Sequence, residues 1–240
     1  GAAKCWGSNF SGQLGDSTTT RRSTPVDVIT LNHNVTRLIA GGSHTCALLN
    51  SGAVKCWGSN GNGQLGIGVS STRITPIDVV GLSSGIAMIN AAGTASCAVT
   101  SGGGVKCWGE NSSGQLGDGT TLNRPSPVDV IGINDVRKAV TSGSHSCALT
   151  NSGSVLCWGA NYYGQLGDGT TTGHLQPAVV SGLNSGVIDI AVNYYHSCAL
   201  LSSGTVQCWG YNGNGQVGDN STLNRLTPVA VYGLSGVQAI

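Results

Sequence analysis

The tripeptide Cys-Trp-Gly recurs five times, beginning at Cys5, Cys56, Cys107, Cys157 and Cys208, in steps of 51, 51, 50 and 51 residues. A period so even, in this range, restricts the chain to a solenoid, a propeller or an array. Residues shared by the copies report on the fold. Departures from the shared pattern mark where function can sit.

The copy from Val35 to Ile86 shows the unit. Val35-Thr-Arg-Leu-Ile-Ala40 is short and rich in β-branched residues, and Gly41-Gly42 ends it. His44 to Leu49 and Ala53 to Trp57 are two further runs joined through Asn50-Ser51-Gly52, the pattern of a hairpin with Gly in the left-handed position. A Gly- and Asn-rich connection leads to Pro76-Ile-Asp-Val-Val80, where Pro suits an edge strand because it cannot donate to a ladder. No window keeps a helical period. Each unit is therefore four short strands, A to D. Such units predict an all-β fold, a β-propeller of four-stranded antiparallel blades of about 51 residues. A β-solenoid competes, but its rungs are usually shorter.

The residues also carry a family resemblance. The run Ala40-Gly-Gly-Ser-His-Thr-Cys-Ala-Leu48, the run Gly153-Ser-Val-Leu-Cys-Trp-Gly-Ala-Asn161 leading to Gly164-Gln-Leu-Gly-Asp-Gly-Thr-Thr171, and the motif Pro127-Val-Asp-Val130 resemble the regulator-of-chromosome-condensation repeat. The resemblance covers essentially the whole chain and implies a propeller, commonly of seven blades. It says little about function, because the family includes a nuclear exchange factor for a small GTPase, ubiquitin-ligase modules and a secreted bacterial β-lactamase inhibitor.

The repeats place blades at about 35–85, 86–135, 136–186 and 187–236, with partial pieces at 1–34 and 237–240, in one repeat domain over residues 1–240. That is roughly four full blades plus parts of a fifth. Cys5 has no strand-B partner and Val237–Ile240 reads as an orphan strand A. A fragment of a larger propeller is expected, with open edges that invite self-association.

Composition narrows the partners. Charged residues are 9% of the chain, against about 25% in an average domain. The net charge of +1 offers no field for nucleic acid. No apolar run is long enough for membrane insertion. Four glycosylation sequons, at Asn9, Asn34, Asn111 and Asn220, carry little weight in a chain this rich in Asn and Ser.

Nine cysteines occupy two repeat positions. In a hairpin centred on Ser51, Cys46 directly faces Cys56, and opposed antiparallel residues have Cα atoms about 4.5–5.5 Å apart, within reach of a disulfide. The pairing Cys46–Cys56, Cys97–Cys107, Cys147–Cys157 and Cys198–Cys208 follows, with Cys5 left over. Reduced core cysteines and a zinc site are the alternatives, and the spacing fits zinc poorly. If oxidised, the cysteines point to an extracellular, periplasmic or cell-surface location.

No constellation for chemistry emerges, so no enzyme, cofactor or metal is expected. His44, His145 and His196 precede the strand-B cysteines, but a residue repeated around a ring does not make one assembled site. They read as structural, bonding near the A–B turn. The Gly-Gln-Leu-Gly loop lacks the Lys and the following helix of a phosphate loop. Asp16, Asp118, Asp168 and Asp219 supply one acid per copy, too few for calcium, and the second copy has Ile67 instead. An Arg precedes the strand-D Pro as Arg22, Arg73, Arg124 and Arg225, with His174 in the fourth copy. Asp and Arg within one loop read as local salt bridges of little worth. The five Trp read as wedges between blades.

Five of the six tyrosines break the repeat: Tyr162, Tyr163, Tyr194, Tyr195 and Tyr211. In a meander the A–B and C–D connections share one face. All five therefore fall on that face over two consecutive blades, as a candidate patch for binding a protein partner. Phe10 holds the matching C–D position in the first copy. The resulting expectation is a non-catalytic secreted scaffold that binds a protein through loops on one face. The alternatives are a structural module of a bacterial envelope or adhesive assembly and, less favoured, an intracellular GTPase exchange factor or chromatin binder.

Overall fold

A computed structural model describes all 240 residues. It contains eighteen strands and no helix. β1 (Lys4–Gly7) and β2 (Arg22–Asp27) form a two-stranded sheet. The first full blade is β3 (Val35–Ala40), β4 (His44–Leu49), β5 (Val54–Gly58) and β6 (Arg73–Asp78). The second is β7 (Ile86–Ala92), β8 (Ala95–Thr100), β9 (Val105–Gly109) and β10 (Arg124–Asp129). The third is β11 (Val136–Thr141), β12 (His145–Thr150), β13 (Val155–Gly159) and β14 (His174–Val179). The fourth is β15 (Val187–Asn193), β16 (His196–Leu201), β17 (Val206–Gly210) and β18 (Arg225–Ala230). Each is an antiparallel meander in chain order, so the A–B and C–D connections do share a face.

Two glycines show why the repeat reads as it does. Gly52 closes the β4–β5 turn at φ +77°, the left-handed conformation that the loop requires. Gly58, the Gly of Cys-Trp-Gly, lies at φ +105°, and a Cβ there would sit 2.6 Å from the Ser43 carbonyl oxygen. Its counterparts Gly109, Gly159 and Gly210 meet Thr94, Ser144 and Tyr195 in the same way. The glycine lets strand C pass under the A–B turn.

The core lies between blades. One cluster joins Cys46, Val54, Cys56, Leu65 and Val79 of the first blade to Ala98 and Trp108 of the second. The next joins Val105, Leu116 and Val130 to Ala148 and Trp158. Cys46 faces Cys56 across β4–β5, and all four expected disulfides are formed, with Cys5 free.

Residues 237–240 do not form the expected orphan strand. Val237 nevertheless donates its amide to the Gly204 carbonyl at 3.0 Å, as Val187 does to Gly153 one blade earlier. At the other end Gly1 and Val35 exchange hydrogen bonds, so the first residues are tied down while one edge of β1 stays unpaired.

Candidate functional site

The shared residues build the joints. Trp57, Trp108, Trp158 and Trp209 are at most 1% exposed. Each donates its indole N–H at 2.9 Å to a backbone carbonyl in the preceding loop, that of Gln13, Gln64, Gln115 or Gln165. The hydroxyls of Thr45, Ser96, Ser146 and Ser197 donate to the same four carbonyls at 2.8–3.0 Å. One oxygen thus accepts two bonds from the next blade. The loop behind it is braced by an asparagine whose sequence signal is only that of a sequon. Asn9 Oδ1 accepts from the Leu14 amide at 2.9 Å, while its Nδ2 donates to Asp16 and to the Thr20 carbonyl. Asn9 and Asn111 are fully buried, so these two sequons are structural.

His44 and His145 bridge blades, a longer reach than the A–B turn expected for them, and His145 also keeps the expected bond at its own turn, to Ser142. His44 Nε2 bonds Ser96 Oγ at 2.9 Å, and His145 Nε2 bonds Ser197 Oγ at 2.8 Å. Because each serine hydroxyl already donates to a carbonyl, the ring nitrogen must be the donor. The other ring nitrogen separates the two cases. His145 Nδ1 lies 2.9 Å from Ser142 Oγ, whereas Gly41 holds the equivalent position beside His44 and leaves its buried Nδ1 without a partner. Burial lowers both rings, His44 to about 4 and His145 to about 3, so both are neutral. A neutral ring bonded across two blades is a joint component.

The acid–base pairs are as expected in partners but not in burial. Asp16–Arg22, Asp118–Arg124 and Asp219–Arg225 are ion pairs of 2.5–2.8 Å, and His174 bonds Asp168 at 2.7 Å. These Asp side chains are only 6–12% exposed, so they brace the loop rather than decorate a surface. Burial pushes the Asp16 carboxyl up, and bonds from Thr18, Arg22 and Asn9 outweigh that to hold it at about 2. The first full blade has Ile67 at this position, and Arg73 turns to the Thr72 carbonyl.

Above these joints lies the departure from the repeat. Tyr163 packs edge-on against Tyr195 and Tyr211, with ring centroids 5.2 and 5.0 Å apart. Tyr195 also meets Tyr211 and Tyr194 at 6.3 and 6.2 Å. The cluster straddles the third and fourth blades. Tyr194 and Tyr195 are exposed, and Tyr163 and Tyr211 are half-buried beneath them. Tyr162 stands apart from the cluster, along a cleft of about 200 Å³ with Ser112, Ser113, Thr121 and Leu175. Gln165, under the cluster, has a buried amide nitrogen without a partner, whereas its counterpart Gln115 bonds the Gly143 carbonyl at 2.7 Å. Glu110, on the same face in the second blade, accepts from Thr94 and Ser112.

The RCC1-like domain model matches residues 1–240. The chain belongs to the RCC1-like domain family. It is 34% identical over 233 residues to human probable E3 ubiquitin-protein ligase HERC4, covering 95% of this chain and 17% of that protein. It is 32% identical to the Arabidopsis thaliana ultraviolet-B receptor UVR8, covering 94% of this chain and 52% of the receptor. Prp20p from Saccharomyces cerevisiae superposes over the whole chain and 63% of its own length, with a TM-score of 0.85 at 22% identity. Human WBSCR16 does so over 94% and 61%, with a TM-score of 0.82 at 24% identity. The chain thus spans between a sixth and about half of these curated relatives. Structures of Prp20p address its binding to Gsp1p and histones and its complex with Kap60.

These relatives correct the functional expectation. The relatives are a probable ubiquitin ligase and an ultraviolet-B receptor, the solved neighbour Prp20p is a Gsp1p- and histone-binding protein, and nothing among them indicates a secreted scaffold or an envelope module. Prp20p, one of the solved neighbours, binds proteins: Gsp1p, histones and Kap60.

Proposed function

We propose that this chain is a protein-recognition segment of an RCC1-type domain, and that its partner docks over the tyrosine cluster of the third and fourth blades. The observation that carries the reading is the substitution of aromatic rings for small residues. Tyr195 takes the place held by Ser43, Thr94 and Ser144 in the other blades, and Tyr211 that of Ser59, Glu110 and Ala160. Exposed, mutually braced tyrosines offer rigid amphipathic contact area at low entropic cost. Recognition rather than chemistry is supported by the engagement of His44, His145 and the loop aspartates in the joints. The four disulfides support an oxidising compartment for the folded chain.

The test replaces Tyr194 and Tyr195 with Ala and measures affinity for partners captured by photocrosslinking at this face. A loss of about 2 kcal/mol is expected, the size of a typical hot spot. Asp135→Ala, in the D–A connection of the opposite face, serves as control. Equal losses from both, or none from the tyrosine pair, would overturn the reading.

A further inference from the structure

The C–D loops carry a glutamine at one fixed place, and its carboxamide is wired in a repeating way. Oε1 of Gln13, Gln64, Gln115 and Gln165 accepts from the backbone amide two residues earlier, at 2.9–3.0 Å. Nε2 then has one of two acceptors. In Gln13 and Gln64 it lies 3.5 Å from Ser8 and Ser59 Oγ, the residue just after Cys-Trp-Gly. Gln115 has Glu110 at that place, whose carboxylate is engaged by Thr94 and Ser112. Its Nε2 donates instead to the Gly143 carbonyl, in the A–B turn of the next blade, at 2.7 Å. Gly143 delivers that carbonyl at φ +99°, a left-handed conformation that suits glycine.

Gln165 has lost both acceptors. Ala160 stands where Ser8 and Ser59 do, and Tyr194 stands where Gly143 does. Tyr194 does not take the left-handed conformation, and its carbonyl accepts from Ser144 Oγ of the preceding blade at 3.0 Å. Gln165 is fully buried, and its Nε2 meets no acceptor in the protein. Two separate substitutions thus leave one donor unmade, in the blade pair that carries the tyrosines. An unmade buried donor weakens a fold, so the arrangement is not one that serves stability.

The surroundings say what this donor would meet. The Tyr163 amide holds its oxygen, and a Cβ at Gly210 would sit 3.1 Å from Gln165 Cα and 2.5 Å from the Tyr195 carbonyl oxygen. The N–H therefore lies at the base of the cluster. Tyr194 and Tyr195 above it are exposed, and exposed rings change rotamer within nanoseconds. The acceptor has to be neutral. On this face His174 is bonded to Asp168 and Arg225 to Asp219, and burial lowers His196, so a buried carboxylate would find no free cation. A main-chain carbonyl is held back by the bulk of its own chain. A Gln or Asn side chain is slim enough to pass between two rings.

We propose that Gln165 Nε2 is the selective contact of the tyrosine site, donating to the side-chain carboxamide oxygen of a Gln or Asn on the docking protein. This rests on docking at the tyrosine cluster and adds the chemistry that the partner brings.

The test uses random dodecapeptides displayed on phage, selected on the wild-type chain and kept if the double variant Tyr194→Ala, Tyr195→Ala no longer binds them. The kept peptides should share a Gln or Asn at one position. Replacing it with Leu should weaken binding at least about tenfold, as for one buried hydrogen bond. Ala160→Ser gives Gln165 the acceptor that Gln64 has in Ser59. It should raise the thermal midpoint and weaken the same peptides to a similar degree, with every tyrosine in place. Should that variant fail to fold, NMR of the wild-type chain decides, where the side-chain amide signals of Gln165 should shift as a kept peptide saturates. Kept peptides that share no carboxamide, that bind Ala160→Ser like wild type, or that leave the Gln165 signals unmoved each overturn the proposal and leave docking at the tyrosines standing. If no peptide depends on the tyrosines, both readings fall.

Discussion

Where the second blade meets the third, Trp158 Nε1 and Ser146 Oγ converge on the Gln115 carbonyl, in a joint with almost no exposed atoms. On the rim where the third meets the fourth, Tyr163, Tyr195 and Tyr211 lean together at 5.0–6.3 Å with Tyr194 outermost. Both are contacts between blades. The joint recurs with the same residues at each step, and the rim cluster occurs once. The joint has no freedom because a misplaced residue strands a buried donor or acceptor. The rim is solvated, so side chains there can change without that cost, and the repeat can hold its shape while its surface diverges.

Four measurements would break or sharpen this contrast. Trp158→Ala removes a buried wedge and orphans half of a bifurcated acceptor, and about 3–5 kcal/mol of stability should go with it, read by chemical denaturation. A loss below about 1 kcal/mol would mean that the joints do not hold the array together.

Removing one hairpin bridge with the double variant Cys97→Ala, Cys107→Ala should cost about 2–3 kcal/mol, from a loop of about ten residues. Intact mass after alkylation, with and without reductant, should count eight paired cysteines and one free.

Acid should open the joints before it reaches the loops. In the unfolded chain a histidine binds its proton near pH 6.5, but His44 resists until about 4 and His145 until about 3. Their contribution is fully present above pH 6.5 and is lost as pH falls. The slope is about 1.4 kcal/mol per pH unit for each ring, or about 1 kcal/mol each by pH 5.5. The lowered aspartates act only below about pH 4, the unfolded carboxylate range. A thermal midpoint that is flat from pH 7 to 5, or one whose slope survives in the variant His44→Gln, His145→Gln, would remove the histidines from this account.

Tyr194→Ala should be the mildest of the four, within about 0.5 kcal/mol of wild type, as for an exposed residue. Tyr163→Ala should cost more, because this half-buried ring braces two others. Equal and large losses from both would make the cluster a packing device and remove the ground for docking.

The parts legible in the sequence were those fixed by periodicity and local geometry. The spacing of Cys46 and Cys56 about Ser51 dictated their facing, and Gly52 dictated the turn between them. The shared face of the tyrosines followed from strand parity. Contacts between blades were not legible, because two residues about one period apart carry no local signature of touching. Hence the sequence points His44 to its own turn rather than to Ser96, and shows Asn9 as a sequon rather than as the residue that holds its loop together. Tyr162 and Tyr163 are adjacent in sequence, yet only Tyr163 leans inward, a rotamer-level outcome that parity cannot supply. Function was the least legible, since similar chains are named as a probable ubiquitin ligase and an ultraviolet-B receptor, and a histone-binding protein has the same fold.

The glutamine carbonyl that accepts two donors has one more consequence. The four buried indoles and the four hydroxyls beside them all point back toward the preceding loop, so the order of blades has a sense, like a staircase with a nosing on each tread. The lock between two treads is the same at every step and owes nothing to which blades they are. Whole blades of this chain should therefore tolerate exchange of their order at the D–A connections, with the tyrosine pair of blades carried intact.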